Sequence, residues 1–258
     1  MLCPDFKAAL LQAPSGRSLD PHWLDGAASG RIAFLLGGAG GLLESPGLAA
    51  AGGQVVVGTN WTLRALVPSI WLVVDKDVWR SESPNLAGCP DTMAVVASKG
   101  IFGGGAFSTT HNRRLRLVGR REWPVAQVSI QRAPASWRQN GKSAVHAMDP
   151  FLPTGSAKEW SNGGNSLTYA IQLAHLMGCG QMFAVGFTLA SGSSYFFARQ
   201  NPATRKPSRY QEEIPMAWCS WFEKRFPGRV LLDPTFDGPI YSVFRKATSD
   251  AFQAAAGH

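Results

Sequence analysis

The chain has 258 residues, 45% of them hydrophobic and 16% charged, a balance that excludes a disordered polymer and suits one substantial core. Its net charge is +8, and 17 of its 25 basic residues are arginine, whose planar fork suits phosphate. The first residues lack the long apolar run of a secretory leader, and no stretch has the length and apolarity of a membrane span, so a soluble, cytoplasmic protein is expected.

In chain order, residues 1–30 read as an amphipathic lead-in broken by Pro and Gly, and 31–245 as the folded domain. Arg31 to Leu36 is a continuous apolar run ended by Gly37-Gly38-Ala39-Gly40-Gly41, the pattern of a strand buried on both faces and followed by a tight loop. Gln54 to Gly58 and Ile70 to Val74 repeat it, with Asn60 and Asp75 close behind their tips. Thr92 to Ser98 is expected as a fourth strand, Gly100 to Gly105 as a glycine turn, Arg113 to Glu122 as a basic edge strand, and 132–155 as a long loop or lid.

Past the middle, Asn162-Gly163-Gly164-Asn165-Ser166 leads into apolar positions at Leu167, Ala170, Ile171, Ala174 and Met177. That spacing predicts a helix capped by Asn165 or Ser166 and stopped by Gly178. A buried strand at Met182 to Gly186 follows, then a helix from Pro215 to Phe226 and a last strand from Arg229 to Leu232, tipped by Asp233. Residues 246–258 read as a tail. The whole is expected as α/β: a three-layer, Rossmann-like single domain with a mostly parallel sheet and a lid or long loops.

Open parallel sheets bind ligands outside the carboxyl ends of their strands, where the strand order reverses. Glycine loops there let backbone N–H groups approach an anion, and a helix N-terminus adds partial positive charge. Gly37, Gly38, Gly40, Gly41, Asn60, Asp75, Gly163, Gly164, Asn165 and Ser166 are therefore the expected nucleotide-binding residues. The same residues also serve as tight turns and helix caps, and that plainer reading stands beside the functional one. Asp75, with Asp77 nearby, is the expected magnesium ligand, since that ion takes carboxylate, water and phosphate oxygens. Cys3, Cys89, Cys179 and Cys219 lack the spacing of a zinc site and read as reduced thiols.

With these residues placed, the chain from about Arg31 to Asp233 resembles a group of Rossmann-like transferases. The group includes campylobacter-type sialyltransferases, 6-hydroxymethylpterin diphosphokinase-like proteins and related phage-encoded proteins. Gly37 to Gly41 stands at the family's first phosphate loop, Asn60 at the asparagine of its second strand, and Asp75 at the aspartate of the diphosphokinase-like branch. Asn162 to Asn165 and Gly186-Phe187-Thr188 take the places of its second loop and late strand end. Gly192-Ser193-Ser194-Tyr195 resembles the sialyltransferases' run, whose tyrosine lies in the active site.

The departures are concrete. Gly38 and Gly41 replace a loop asparagine and serine, Thr188 replaces an acid, and no histidine lies between Tyr195 and Trp221. The resemblance implies transfer of a group from a nucleotide or nucleotide-sugar donor, with Tyr195 and Arg199 at the leaving phosphate. His146, in the expected lid, is the acid/base candidate, with Glu212 and Glu213 as alternatives. Arg113, Arg114, Arg116, Arg120 and Arg121 would track a nucleic-acid acceptor, which makes modification of DNA bases, in host cytoplasm for a phage-encoded enzyme, one option beside a glycan acceptor. An ATP-dependent, magnesium-requiring diphosphokinase-like enzyme and a catalytically degraded nucleic-acid-binding protein are the other readings.

Overall fold

Uniformly apolar strands with no polar face must be covered on both sides, and the chain does this with helices on either face of one sheet. The structure, a computed structural model, describes residues 25–73, 75–89, 92–99, 125–130, 159–160, 165–189 and 209–256. Within them it describes only the backbone of 76, 77, 87, 93, 95–99, 125–130, 159–160 and 209–214. The strands are β1 (Ile32–Leu36), β2 (Val55–Thr59), β3 (Ile70–Val73), β4 (Met93–Lys99), β5 (Val125–Ile130), β6 (Glu159–Trp160), β7 (Gln181–Val185), β8 (Val230–Leu232) and β9 (Arg245–Lys246). The α-helices are α1 (Pro46–Ala50), α2 (Lys76–Glu82), α3 (Ser166–Leu176), α4 (Arg209–Arg225) and α5 (Ser249–Ala256).

The strand order is β6-β5-β4-β3-β2-β1-β7-β8-β9, and every neighbouring pair is parallel. The chain therefore lays strands outward on one side of β1, returns, and lays the rest on the other side. That reversal puts the topological switch point between β1 and β7, which pair from Ile32 with Gln181 to Leu36 with Val185. The α/β, Rossmann-like class expected from the sequence is the observed one.

Alternation along the strands divides the core. Ala33, Leu35, Val57, Leu72, Ala184 and Leu232 face α3 and α4, where Tyr169, Leu173, Trp218 and Phe222 are buried against them. Phe34, Leu36, Val56, Phe183 and Val185 face the other way, under Ala50 of α1 and Phe252 and Ala255 of α5. Phe183 sits between Phe34 and Phe252, with ring centroids 5.1 and 5.0 Å away. The amphipathic pattern of α5 puts residues 246–256 into the fold: Gln54, at the foot of β2, donates to the Ala255 carbonyl at 2.8 Å.

Two expectations are corrected here. Pro215 does not start its helix; α4 begins at Arg209 and carries Pro215 inside. A proline early in an apolar helix reads as a first-turn residue, but here it forgoes one backbone hydrogen bond and the helix continues through it. Asp25 to Gly30 is also more than a lead-in. Its Gly26, Ala28 and Gly30 amides donate to the carbonyls of Leu176, Met177 and Gly178, which ties the entry to β1 onto the end of α3. The expected basic edge strand at 113–122, the glycine turn at 100–105 and the lid at 132–155 lie outside the described residues.

Candidate functional site

Because every strand is parallel, the residues that follow β1, β2, β3, β7 and β8 meet on one edge of the sheet. Helix α3, which runs back between β6 and β7, starts on that edge too. Gly37, Gly38, Gly40 and Gly41 follow β1, Asn60 follows β2, Asp75 follows β3, and Asn165 and Ser166 open α3. Gly163, Gly164, His146, Tyr195, Arg199 and the arginines at 113–121 lie outside the described residues.

At the switch point itself two backbones touch. The Gly37 amide donates to the Val185 carbonyl at 2.8 Å and the Ala39 amide to the Gly186 carbonyl at 3.1 Å. A Cβ at Gly37 would fall 2.3 Å from the Gly186 oxygen, so no side chain fits there. Gly41 has φ 82°, a left-handed conformation that glycine adopts without cost, and it opens the short 3-10 turn Leu42–Glu44. Two of the loop's donors are thus committed to β7. Contact with an anion in this loop would fall to the amides of Gly38, Gly40 and Gly41.

Asn60 has φ 49° and begins the 3-10 turn Asn60–Arg64. Its carbonyl accepts from the Trp71 indole at 2.6 Å, and the preceding Thr59 hydroxyl donates to the Leu36 carbonyl at 2.9 Å, joining the tips of β2 and β1. The far end of the turn is held by Arg64, which donates twice to Glu82, at 3.0 and 2.5 Å, and lies over the Trp61 ring. Burial alone would raise the Glu82 carboxyl, but hydrogen bonds from Arg64, Ser81 and Asn85 hold it below its ordinary value.

Asp75 is exposed and its carbonyl accepts the Trp79 amide at 3.0 Å, which starts α2. Asn165 caps α3: its Oδ1 accepts the Thr168 amide at 3.1 Å, and the Thr168 hydroxyl donates back to the Asn165 carbonyl at 2.8 Å. That is the capping role weighed beside the functional one from sequence. Among the described residues no three His, Cys, Asp or Glu side chains gather to hold a metal. A magnesium ion at Asp75 would fit as an ion carried mainly by phosphates and water, with this carboxylate as a ligand.

The other side of the switch point carries residues the sequence reading did not place in the site. Asp233, at the tip of β8, is fully buried. Its Oδ2 accepts from the Ser45 hydroxyl, and its Oδ1 accepts from the Thr235 amide at 2.9 Å and the Thr235 hydroxyl at 2.6 Å. Ser45 in turn caps α1 by accepting the Gly47 amide at 3.0 Å. The Ser45-Pro46 pair was the available signal, a cap followed by a first-turn proline. After β7, Leu189 has φ 52°.

Asn60 and Leu189 are the non-glycine residues with positive φ among those described, and they follow the two strands that flank β1. A left-handed asparagine is uncommon, and a left-handed leucine is a genuine outlier. The described cysteines are buried free thiols, and burial pushes Cys179 up to about 12. Among the described residues no helix is long and apolar enough to cross a membrane.

No protein-family model and no curated protein matches the chain. Solved structures similar to it include two of sialyltransferases. The sialyltransferase CstII from Campylobacter jejuni, in complex with the substrate analogue cytidine-5'-monophosphate, aligns at 10% identity and TM-score 0.49, covering 85% of this chain and 86% of that one. The sialyltransferase CST-II in complex with trisaccharide acceptor and CMP aligns at 9% identity and TM-score 0.48, covering 84% and 86%.

Proposed function

We propose that the carboxyl edge at the β1/β7 switch point binds a nucleotide or nucleotide-sugar, and that the chain transfers a group from it to an acceptor. The observation that carries this reading is the placement of both left-handed non-glycine residues, Asn60 and Leu189, beside the β1 glycine loop. Such strain costs about 1–3 kcal/mol per residue and collects at ligand sites. The amides of Gly38, Gly40 and Gly41 and the start of α3 would meet phosphate, and Asn60 would meet the base or ribose. Magnesium, when bound, would neutralise phosphate charge near Asp75.

For a sugar-nucleotide donor, the acceptor hydroxyl attacks the anomeric carbon, the bond to the donor phosphate breaks, and the acceptor proton passes to a base. Tyr195 and Arg199 would donate to the departing phosphate and His146 would take the proton, roles that rest on the sequence resemblance. The net charge of +8 favours, as a second reading, a nucleic-acid acceptor, DNA bases included, held by Arg113, Arg114, Arg116, Arg120 and Arg121.

A thermal-shift screen with CMP, UDP, GDP and ATP, each with and without magnesium, tests the donor site. A ligand at 100 times its Kd stabilises by about 2.7 kcal/mol. A shift with one nucleotide that disappears in Asn60→Ala is the expected result, and a shift that requires ATP and is abolished by EDTA would move the assignment to diphosphate transfer. No shift with any nucleotide, beside DNA binding that weakens steeply with salt, would overturn the transferase reading.

A further inference from the structure

A buried indole directs its N–H to the carboxyl edge of the sheet. Trp71, in the middle of β3 opposite Gly58 of β2 and Ala94 of β4, is fully buried and stacks on Trp79 with ring centroids 5.5 Å apart and planes 16° apart. Packing therefore fixes the ring, and a buried indole N–H needs an acceptor. It finds one two residues beyond Gly58, in the Asn60 carbonyl at 2.6 Å.

That bond bears on the backbone of Asn60 directly. At φ 49° the residue has left the extended path of β2, and its peptide carbonyl is turned onto the indole. Asparagine tolerates this conformation better than most residues but does not prefer it to the ordinary regions. The rest of the turn is pinned independently by Arg64 on the buried Glu82. With both ends held, the direction of the Asn60 Cα–Cβ bond has little freedom left.

We propose that Trp71 is a positioning residue for the donor nucleotide: its indole N–H holds Asn60 in the left-handed conformation that aims the Asn60 side chain at the nucleotide. This rests on the nucleotide-site reading above. Trp71 itself touches no ligand; it acts through Asn60, so its contribution should exist only while the Asn60 side chain is present.

The test is a double-mutant cycle on nucleotide affinity with Trp71→Phe and Asn60→Gly. Phenylalanine keeps a ring against Trp79 and removes the donor, and glycine accepts the left-handed conformation while removing the side chain. Trp71→Phe is expected to weaken nucleotide binding about ten-fold, in line with one lost hydrogen bond. Combined with Asn60→Gly it should weaken binding no further than Asn60→Gly alone, whereas its effect on Tm should be the same in both backgrounds.

Losses that multiply, or a Trp71→Phe protein that binds like the unmutated one, overturn the positioning role and leave the nucleotide site standing. An unmutated chain that binds no nucleotide overturns both. Should Trp71→Phe fail to fold, the indole 1H–15N resonance of Trp71 in the unmutated protein decides. It is expected to move when nucleotide is added, and a resonance that stays in place at saturation sinks the proposal.

Discussion

The two edges of the sheet are closed by different means. At the amino edge, where β1, β7 and β8 begin, the joints are ordinary ones. Gly30, Gly178 and Gly228 take the left-handed conformations, and the side chains of Gln181 and Arg229 cap nearby carbonyls of Gly228, Arg229 and Gly180. At the carboxyl edge, left-handed conformations fall on Asn60 and Leu189 as well as on Gly41 and Gly186, and a fully buried aspartate ties the β1 segment to the tip of β8. Glycine would remove the strain at no steric cost, and an apolar residue would remove the buried polar group. The carboxyl edge keeps both, in line with the ligand site proposed there, whereas among the described residues the left-handed positions of the amino edge all fall on glycine.

The largest expected effect comes from Gly37→Ala. The new Cβ would meet the Gly186 carbonyl, a backbone atom that cannot move without separating β1 from β7. A loss of about 3 kcal/mol in urea unfolding, together with loss of any nucleotide shift, is expected. A fully stable Gly37→Ala protein would show that the two loops are not packed backbone to backbone.

Asp233→Ala comes next. It leaves the buried Ser45 hydroxyl without its acceptor, while the exposed Thr235 can turn to water, at a cost of about 1–3 kcal/mol. Because Ser45 caps α1 directly after the glycine loop, nucleotide affinity should fall with stability. Gly178→Ala, on the amino edge, sharpens the contrast. Glycine 178 has φ 77° and a Cβ there would lie 2.8 Å from the Ser29 hydroxyl, so about 1–2 kcal/mol of stability should be lost with nucleotide affinity unchanged.

His175 gives the amino edge a pH signature. It lies in the last turn of α3 against Phe222 and Phe226, and burial, reinforced by Arg229, lowers it to about 4. The fold favours the neutral ring, so as pH falls below about 6.5 the unfolded chain takes up the proton first. Stability is therefore full above that pH and declines between it and about pH 4, by on the order of 1–2 kcal/mol once the half-buried ring's contact with water is allowed for. Urea midpoints should trace this decline, and His175→Gln should flatten it. The smallest effect is expected from Asn60→Gly, within about 1 kcal/mol in stability, because relief of the left-handed strain offsets the added freedom of the unfolded chain. Its effect on nucleotide binding should be large by comparison.

Residue by residue, legibility followed how local the cause was. Ile32 to Leu36, Val55 to Val57, Ile70 to Val73 and Met182 to Val185 were readable as strands because burial on both faces leaves no polar positions in the run. Helix α3 was readable because its cap and its apolar period sit in one short window. Strands β6 and β9 have two residues each and carry no pattern of their own; β9 exists because Arg245 and Lys246 find β8. Helix α1, five residues long, is too short for a period and is held by its Ser45 cap and by α5.

From the sequence by itself came the α/β class, the order of the central elements and the list of polar and glycine residues at the strand tips, all of which depend on neighbours along the chain. Tertiary structure decided that β1 and β7 are adjacent, and hence where the switch point lies. It also decided that Gly37 gives its amide to β7, that Asp233 closes on Ser45 across 188 residues of sequence separation, and that the Trp71 indole reaches Asn60. Each of these is a hydrogen bond or close approach between segments that only the folded sheet brings together, and burial, which makes an unpaired polar group costly, fixes the partner once they meet.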